Sequence, residues 1–358
     1  MTRPARALID LGALRHNYQL ARRLQGGRAL AVIKANAYGH GATRCAMALA
    51  DIADGYAVAF AQEAIELRAS GISGPILLLE GCFDDDELLQ AQQLGLWIVV
   101  HQSEQISMIE RMRLAPRSLT VWLKINTGMH RAGFDPAEVK AAHARLKNCG
   151  SVDSITHMTH FARSDEPDHD ATTQQLHTFD QTVAGLPGEQ SVANSGAVLA
   201  WPGARRDWAR PGIVLYGADP MPGESSGLVP VMSLQSRIFN VRMLQTGDAL
   251  GYGATFIAEK PTRVGLVAIG YADGYPRSAP TGTPVMIDGR LSRTIGRVSM
   301  DMMTVDLTDL PQTGVGSEVE LWGRNISVNR VAQAAGTISY ELLCNVKRVP
   351  RVYTNEAP

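Results

Sequence analysis

The chain has 358 residues, enough for a barrel of about 250 residues with roughly 100 to spare, so two domains are expected. Hydrophobic residues make up 45%, charged residues 19%, and the formal net charge is -1. That balance argues against nucleic acid as a partner and against a long disordered tail. Cys45, Cys82, Cys149 and Cys344 lie far apart with no CxxC pair, which points to buried thiols rather than a disulfide framework or a metal site. The opening MTRPARALID lacks the apolar run of a signal peptide, and no stretch approaches the ~20 apolar residues that would span a bilayer. The expected compartment is the cytoplasm, with no membrane partner.

A short strand (Ala7 to Ile9) opens the chain, and Asp10 can cap a helix whose apolar face carries Leu11, Leu14, Tyr18 and Leu24. Apolar runs of strand length follow at Ala29 to Ile33, Gly55 to Ala59, Pro75 to Leu79, Leu96 to Val100, Leu119 to Ile125, Ile155 to Thr159 and Ser191 to Asn194. Helix-like patterns separate most of them, as a parallel sheet buried on both faces requires. Asp207 to Arg210 is a weaker candidate for an eighth strand. Eight strands would close a barrel, whereas fewer would leave an open, doubly wound sheet.

From about residue 231 the texture turns to β-branched residues, short runs and Gly or Pro turns, as in Arg263 to Ile269, Pro284 to Ile287, Arg293 to Val298 and Glu318 to Trp322. One helix, near Val328 to Ala335, interrupts them. If the eighth strand closes the sheet, the fold is a parallel (β/α)₈ TIM barrel over residues 10–230, followed by a mostly β domain over 231–358 that also takes the strand in residues 1–9.

The most informative segment is AVIKANAYGHG, Ala31 to Gly41, where Lys34 sits just past an apolar strand. Most strand-end lysines are merely solvated. At the C-terminal mouth of a barrel, however, catalytic groups collect, and an amine shielded there can attack an aldehyde and hold it as an imine. If a helical turn starts after the strand, Tyr38 faces the same mouth, where a phosphate oxygen would suit its hydroxyl.

AVIKANAYGHG closely resembles the cofactor-attachment signature of alanine racemases. The resemblance continues through LKINTGMHRAGF (Leu123 to Phe134), THFARSDE (Thr159 to Glu166), ANSGA (Ala193 to Ala197), RPGIVLYG (Arg210 to Gly217), GYGATF (Gly251 to Phe256), GYADGYPR (Gly270 to Arg277), GRVSMDMMTVD (Gly296 to Asp306) and ISYELLC (Ile338 to Cys344). It implies an isomerase that interconverts L- and D-alanine by a two-base mechanism on pyridoxal phosphate, held as an aldimine by Lys34. It also implies that Tyr38, Asn194, Ser195, Tyr340 and the amides of Gly212 and Ile213 hold the phosphate end, and that His160 stacks on the pyridine ring.

Arg210 constrains the reaction most. By the resemblance it faces the pyridine nitrogen, and a guanidinium that does not give up its proton keeps that nitrogen unprotonated. A neutral pyridine is a poorer electron sink, which discourages transamination. A related decarboxylase would instead place an acid at the nitrogen and a cysteine in the partner domain. A non-catalytic carrier of the cofactor would resemble the barrel alone.

Racemisation needs a base on each face of a planar centre, and the resemblance assigns Lys34 to one face and Tyr252 to the other. A tyrosine's ordinary pKa is about 10, so such a base needs an activating hydrogen bond. Because Tyr252 lies in the β domain, a head-to-tail homodimer is implied, with Met300 and Asp301 also coming from the partner. Arg131 suits the substrate carboxylate as a bidentate donor. Lys124, close to it in sequence, is expected to be carbamylated (N6-carboxylysine) and to orient Arg131 as an anion. His130 stands where some members carry glycine. Tyr271, Arg277, Arg297 and Asp165 resemble a polar corridor leading to the site, and Met300 with Tyr340 narrows the pocket to suit alanine. No metal is implied.

Overall fold

The computed structural model describes residues 3–221 and 226–355. Strand β1 (Arg6–Asp10) leads directly into a helix over Leu11–Gln25, capped by Asp10, whose side chain accepts from the Ala13 amide. Leu11, Leu14 and Tyr18 are buried as their spacing predicts. Leu24 is only half-buried, because the last turn instead buries Gln25, whose amide donates to the Arg206 carbonyl at 2.8 Å.

Eight parallel strands then close a barrel. They are β2 (Arg28–Val32), β3 (Gly55–Val58), β4 (Ile76–Leu78), β5 (Trp97–Val100), β6 (Leu119–Lys124), β7 (Val152–Met158), β8 (Glu189–Ser191) and β9 (Trp208–Ala209). β3 and β4 are buried at every position, which is why these runs are continuously apolar rather than alternating. The weak eighth strand is real but minimal. β9 joins β8 only through Ser191 and Trp208, and joins β2 through Arg28 with Trp208 and Ala29 with Ala209. The seventh expected strand shifts: β8 ends at Ser191, and Asn194 instead caps the short helix Ser195–Ala200.

The remaining strands build the second body. β10 (Met232–Leu244) is its spine: its first half pairs with β1 and β17 (Glu318–Trp322), its second half with β13 (Thr262–Val267). A register shift between Ile238 and Asn240 lets one strand serve both directions. β11 (Ala249–Leu250) and β12 (Phe256–Ile257) form a separate hairpin. β14 (Pro284–Ile287), β15 (Arg290–Arg293), β16 (Met303–Asp306) and β18 (Arg351–Thr354) complete the set. The run expected over Arg293 to Val298 starts earlier, because β15 pairs with β14 across the turn at Asp288 and Gly289.

Among the described residues two α-helices, not one, interrupt these strands: Val328–Ala334 and Ser339–Cys344. The second is too short to leave a periodic trace, yet it matters most, because it packs on the turn after β2. Among the described residues no helix is long and apolar enough to cross a membrane.

Candidate active site

Lys34 occupies the C-terminal end of β2, and the turn after it is not the right-handed one that its spacing suggests. Ala35, Asn36, Ala37 and Tyr38 all have φ between 50° and 54°, a left-handed turn. Such a turn costs roughly 1–2 kcal/mol per residue for L-amino acids, so its surroundings must impose it. The Glu63 carboxylate accepts from the Ala35 amide at 2.6 Å, and the Asn36 side chain accepts from the Ala42 amide at 2.8 Å. Gly39 is a true requirement: at φ +82°, a Cβ there would lie 2.1 Å from the Leu343 carbonyl oxygen.

The turn brings Tyr38 under the mouth of the barrel. Its ring stacks on Tyr216 with centroids 4.8 Å apart and lies 6.0 Å from Tyr340, which sits on the short helix Ser339–Cys344 rather than beside a strand. Burial raises the Tyr38 phenol pKa, and among the described residues nothing accepts its hydroxyl. A Cβ at Gly212 would lie 2.6 Å from that oxygen, so only glycine lets the phenol close on this loop. The Gly212 amide donates to Ser195 Oγ at 2.8 Å, and Ile213 begins the next tight turn. Asn194 accepts from Ser164 and from the Ala197 amide, which fixes the loop that carries Ser195.

Tyr38, Asn194, Ser195, Gly212, Ile213 and Tyr340 line a cavity of about 360 Å³ together with Lys34, Lys124, Arg131, His160 and Arg210. Arg210 is 4% exposed and donates to the Ser191 carbonyl at 2.9 Å, to Ser191 Oγ and to the Thr159 carbonyl. Burial lowers its pKa to about 10, and no described carboxylate pairs with it. His160 is driven well below the usual imidazole range, first by burial and then by Arg210, Arg131, Lys124 and Lys34, so its ring is neutral. Burial, and after it the cations Arg131, Arg210 and Lys34, bring Lys124 down to about 8 against the pull of Glu80. His130 has φ +55°, in the left-handed region that favours glycine.

The second group of expected site residues does not line this cavity. Tyr252 is 67% exposed at the tip of the β11–β12 hairpin, in a turn shaped by Gly251 and Gly253 at φ +71° and +73°. Arg297 flanks that turn, while Tyr271 lies under the Arg277 guanidinium at 6.0 Å. Met300 is exposed, its carbonyl accepting from the Ala272 amide, and Asp301 pairs with Arg348 at 3.3 Å. Asp165 borders an adjoining cleft that shares Tyr340 with the main cavity. Among the lining residues with titratable side chains, two carry no assignment from the sequence, Glu80 and Cys344. Glu80 follows an apolar strand end just as Lys34 does, and that position was the available signal.

Two family models cover the chain, the alanine racemase N-terminal domain at residues 9–220 and the alanine racemase C-terminal domain at residues 231–353. The chain belongs to the alanine racemase family. As such it is an isomerase that interconverts L- and D-alanine. It is 65% identical to an alanine racemase of Azoarcus sp. (strain BH72) over 97% of this chain and 98% of that protein. It superposes on the biosynthetic alanine racemase of Pseudomonas aeruginosa with a TM-score of 0.96 at 50% identity, covering 99% and 100% of the two chains. A more distant racemase structure, from Bartonella henselae, has a TM-score of 0.90 at 29% identity, over 99% and 100%, and contains covalently bound pyridoxal phosphate.

Proposed function

We propose that this racemase holds pyridoxal phosphate in the barrel cavity and moves the alanine Cα proton with two bases, Lys34 of one subunit and Tyr252 of its partner in a homodimer. The observation that carries the reading is Arg210, a buried guanidinium in the cavity wall with no carboxylate beside it. Bound pyridoxal phosphate supplies an aldehyde that condenses with an amine and a ring that shares the charge left when a Cα proton departs. The cavity fits such a group: it gathers cations, leaves the Tyr38 hydroxyl without an acceptor, and has at Gly212 a close approach that a side chain would block.

In this reading Lys34 is the covalent anchor, and Tyr38, Ser195, Tyr340 and the Gly212 and Ile213 amides take the phosphate, with Asn194 fixing their loop. With the cofactor bound, the neutral His160 ring would serve as a stacking surface for the pyridine, and Arg210, as a donor that does not give up its proton, would disfavour protonation of the ring nitrogen. Arg131 binds the substrate carboxylate through two parallel hydrogen bonds. Lys124, as a carbamate, becomes the anion that orients Arg131 and removes the repulsion between two neighbouring cations. Lys34 Nζ and the partner's Tyr252 hydroxyl give and take the proton on opposite faces. Met300 crowds the substrate methyl, and Asp301, Tyr271, Asp165, Arg277 and Arg297 form the polar approach.

A decarboxylase would need an acid at the place Arg210 holds. The cavity's one described carboxylate, Glu80, acts on Lys124 and His101 and not on Arg210. The deciding experiment incubates the yellow, purified protein with L- or D-alanine in deuterated water. Deuterium at Cα in both enantiomers, without carbon dioxide release, is expected; a colourless protein that takes up no cofactor, or release of carbon dioxide, defeats the reading.

Gly212→Ala should weaken cofactor affinity about tenfold or more, because the added methyl collides with a phenol already fixed between Tyr216 and Tyr340. Overpacking of this kind costs about 1–3 kcal/mol. Titration of the apoprotein with pyridoxal phosphate, followed by absorbance, measures it.

A further inference from the structure

The cavity gathers Lys34, Lys124, Arg131 and Arg210, and among its described lining residues the one carboxylate is Glu80. Its backbone is firmly held at the barrel mouth. The Glu80 amide donates to the Ala59 carbonyl at 3.4 Å, and its carbonyl accepts from His101 Nε2 at 3.2 Å and from Gln105 Nε2 at 3.4 Å. The next residue, Gly81, has φ +72°, and a Cβ there would lie 2.2 Å from the Val99 carbonyl oxygen, so the loop after β4 is locked onto the end of β5. The carboxylate, by contrast, makes no hydrogen bond and no ion pair within 4.0 Å among the described residues, although it acts electrostatically on Lys124 and on His101. A firmly held loop that places an uncommitted acid in the lining of a cavity rich in cations is suited to setting their charge.

We propose that Glu80 is a positioning residue that favours the ammonium form of Lys124 over its carbamate, so that carbamylation, and with it the alignment of Arg131, varies with the level of dissolved carbon dioxide instead of being permanent. The inference rests on the proposed capacity of Lys124 to be carbamylated. In that step the lone pair of the neutral Lys124 Nζ forms a bond to the carbon of carbon dioxide, one C=O π pair moves onto oxygen, and the proton lost from nitrogen passes to water. Glu80 opposes this twice. It attracts the ammonium ion, which has no lone pair to react, and it repels the carbamate anion once formed. Arg131, Arg210 and Lys34 act in the other sense from their own elements, and the neutral His160 and His101 rings add no fixed charge.

The test uses the holoenzyme in buffers of graded [13C]bicarbonate at pH 8, with the carbamate carbon observed by NMR and assigned by its loss in Lys124→Ala. Glu80→Gln keeps the shape and removes the charge. It is expected to reach half-occupancy at about tenfold lower carbon dioxide than the unaltered protein, because a charge that shifts an ammonium by about one pKa unit shifts a carbamate anion on the same nitrogen by a comparable factor, while Glu80→Asp stays near the unaltered protein. The KM for alanine should fall in Glu80→Gln at low carbon dioxide and converge with the unaltered value at saturation, with kcat moving less. Identical carbon dioxide dependence in the two proteins overturns the role of Glu80. A carbamate fully formed at trace carbon dioxide in the unaltered protein also overturns it. Absence of any Lys124-dependent signal in both proteins removes the carbamate reading itself, and the proposal with it.

Discussion

Lys34→Ala is expected to lower kcat/KM for alanine in both directions by about 10⁴-fold or more and to remove the cofactor band that borohydride traps. A positioned general base alone contributes about 10²- to 10⁴-fold, and the same amine is the proposed covalent anchor, so the two losses combine. The rest of the cradle remains, since Tyr38, Ser195 and Arg210 are held by contacts that do not involve Lys34. The variant should therefore still bind added pyridoxal phosphate, reversibly and dialysably. Absorbance spectra before and after borohydride, together with peptide mass mapping, give the answer. Lys124 is the other amine lining the cavity, and its amine is brought down to about 8. A borohydride-fixed cofactor found on Lys124 in the unaltered protein would move the anchor there and refute the assignment of Lys34.

The barrel was legible because burial on both faces writes itself into a strand as an unbroken apolar run, as in Gly55–Val58 and Ile76–Leu78. The eighth strand was faint for a tertiary reason. Only Trp208 and Ala209 take part, and the closure is reinforced by the Arg210 guanidinium reaching Ser191 and Thr159, neither of which a local pattern records. The left-handed turn after Lys34 was illegible for the same cause. Ala-Asn-Ala carries no intrinsic demand for positive φ; the demand comes from Glu63 at the Ala35 amide and from the Leu343 carbonyl pressed against Gly39. The Ser339–Cys344 helix is short enough that its apolar residues resemble a strand, yet it delivers both Tyr340 and Cys344 to the cavity. Of the titratable site residues, those in segments with a family signature were named from the sequence, Cys344 excepted. Glu80 belongs to no such segment, and only the closed barrel reveals that the end of β4 faces the end of β6.

Tyr252→Phe is expected to cut proton removal from L-alanine by about 10²- to 10⁴-fold, the usual contribution of a positioned base, and to affect removal from D-alanine less directly. Single-turnover exchange in deuterated water, measured for each enantiomer, separates the two. Equal losses for both would reject the division of labour between Tyr252 and Lys34. The same variant tests where the second base comes from, because Tyr252 is 67% exposed on a hairpin of its own chain and does not line that chain's cavity. In a two-fold dimer with shared sites, mixing Lys34→Ala with Tyr252→Phe subunits creates one intact site in every mixed dimer, the cavity from the second variant and the tyrosine from the first. Random exchange of subunits should then restore roughly a quarter of the unaltered activity. If each cavity drew its tyrosine from its own chain, every site in the mixture would carry one defect, and mixing would restore nothing.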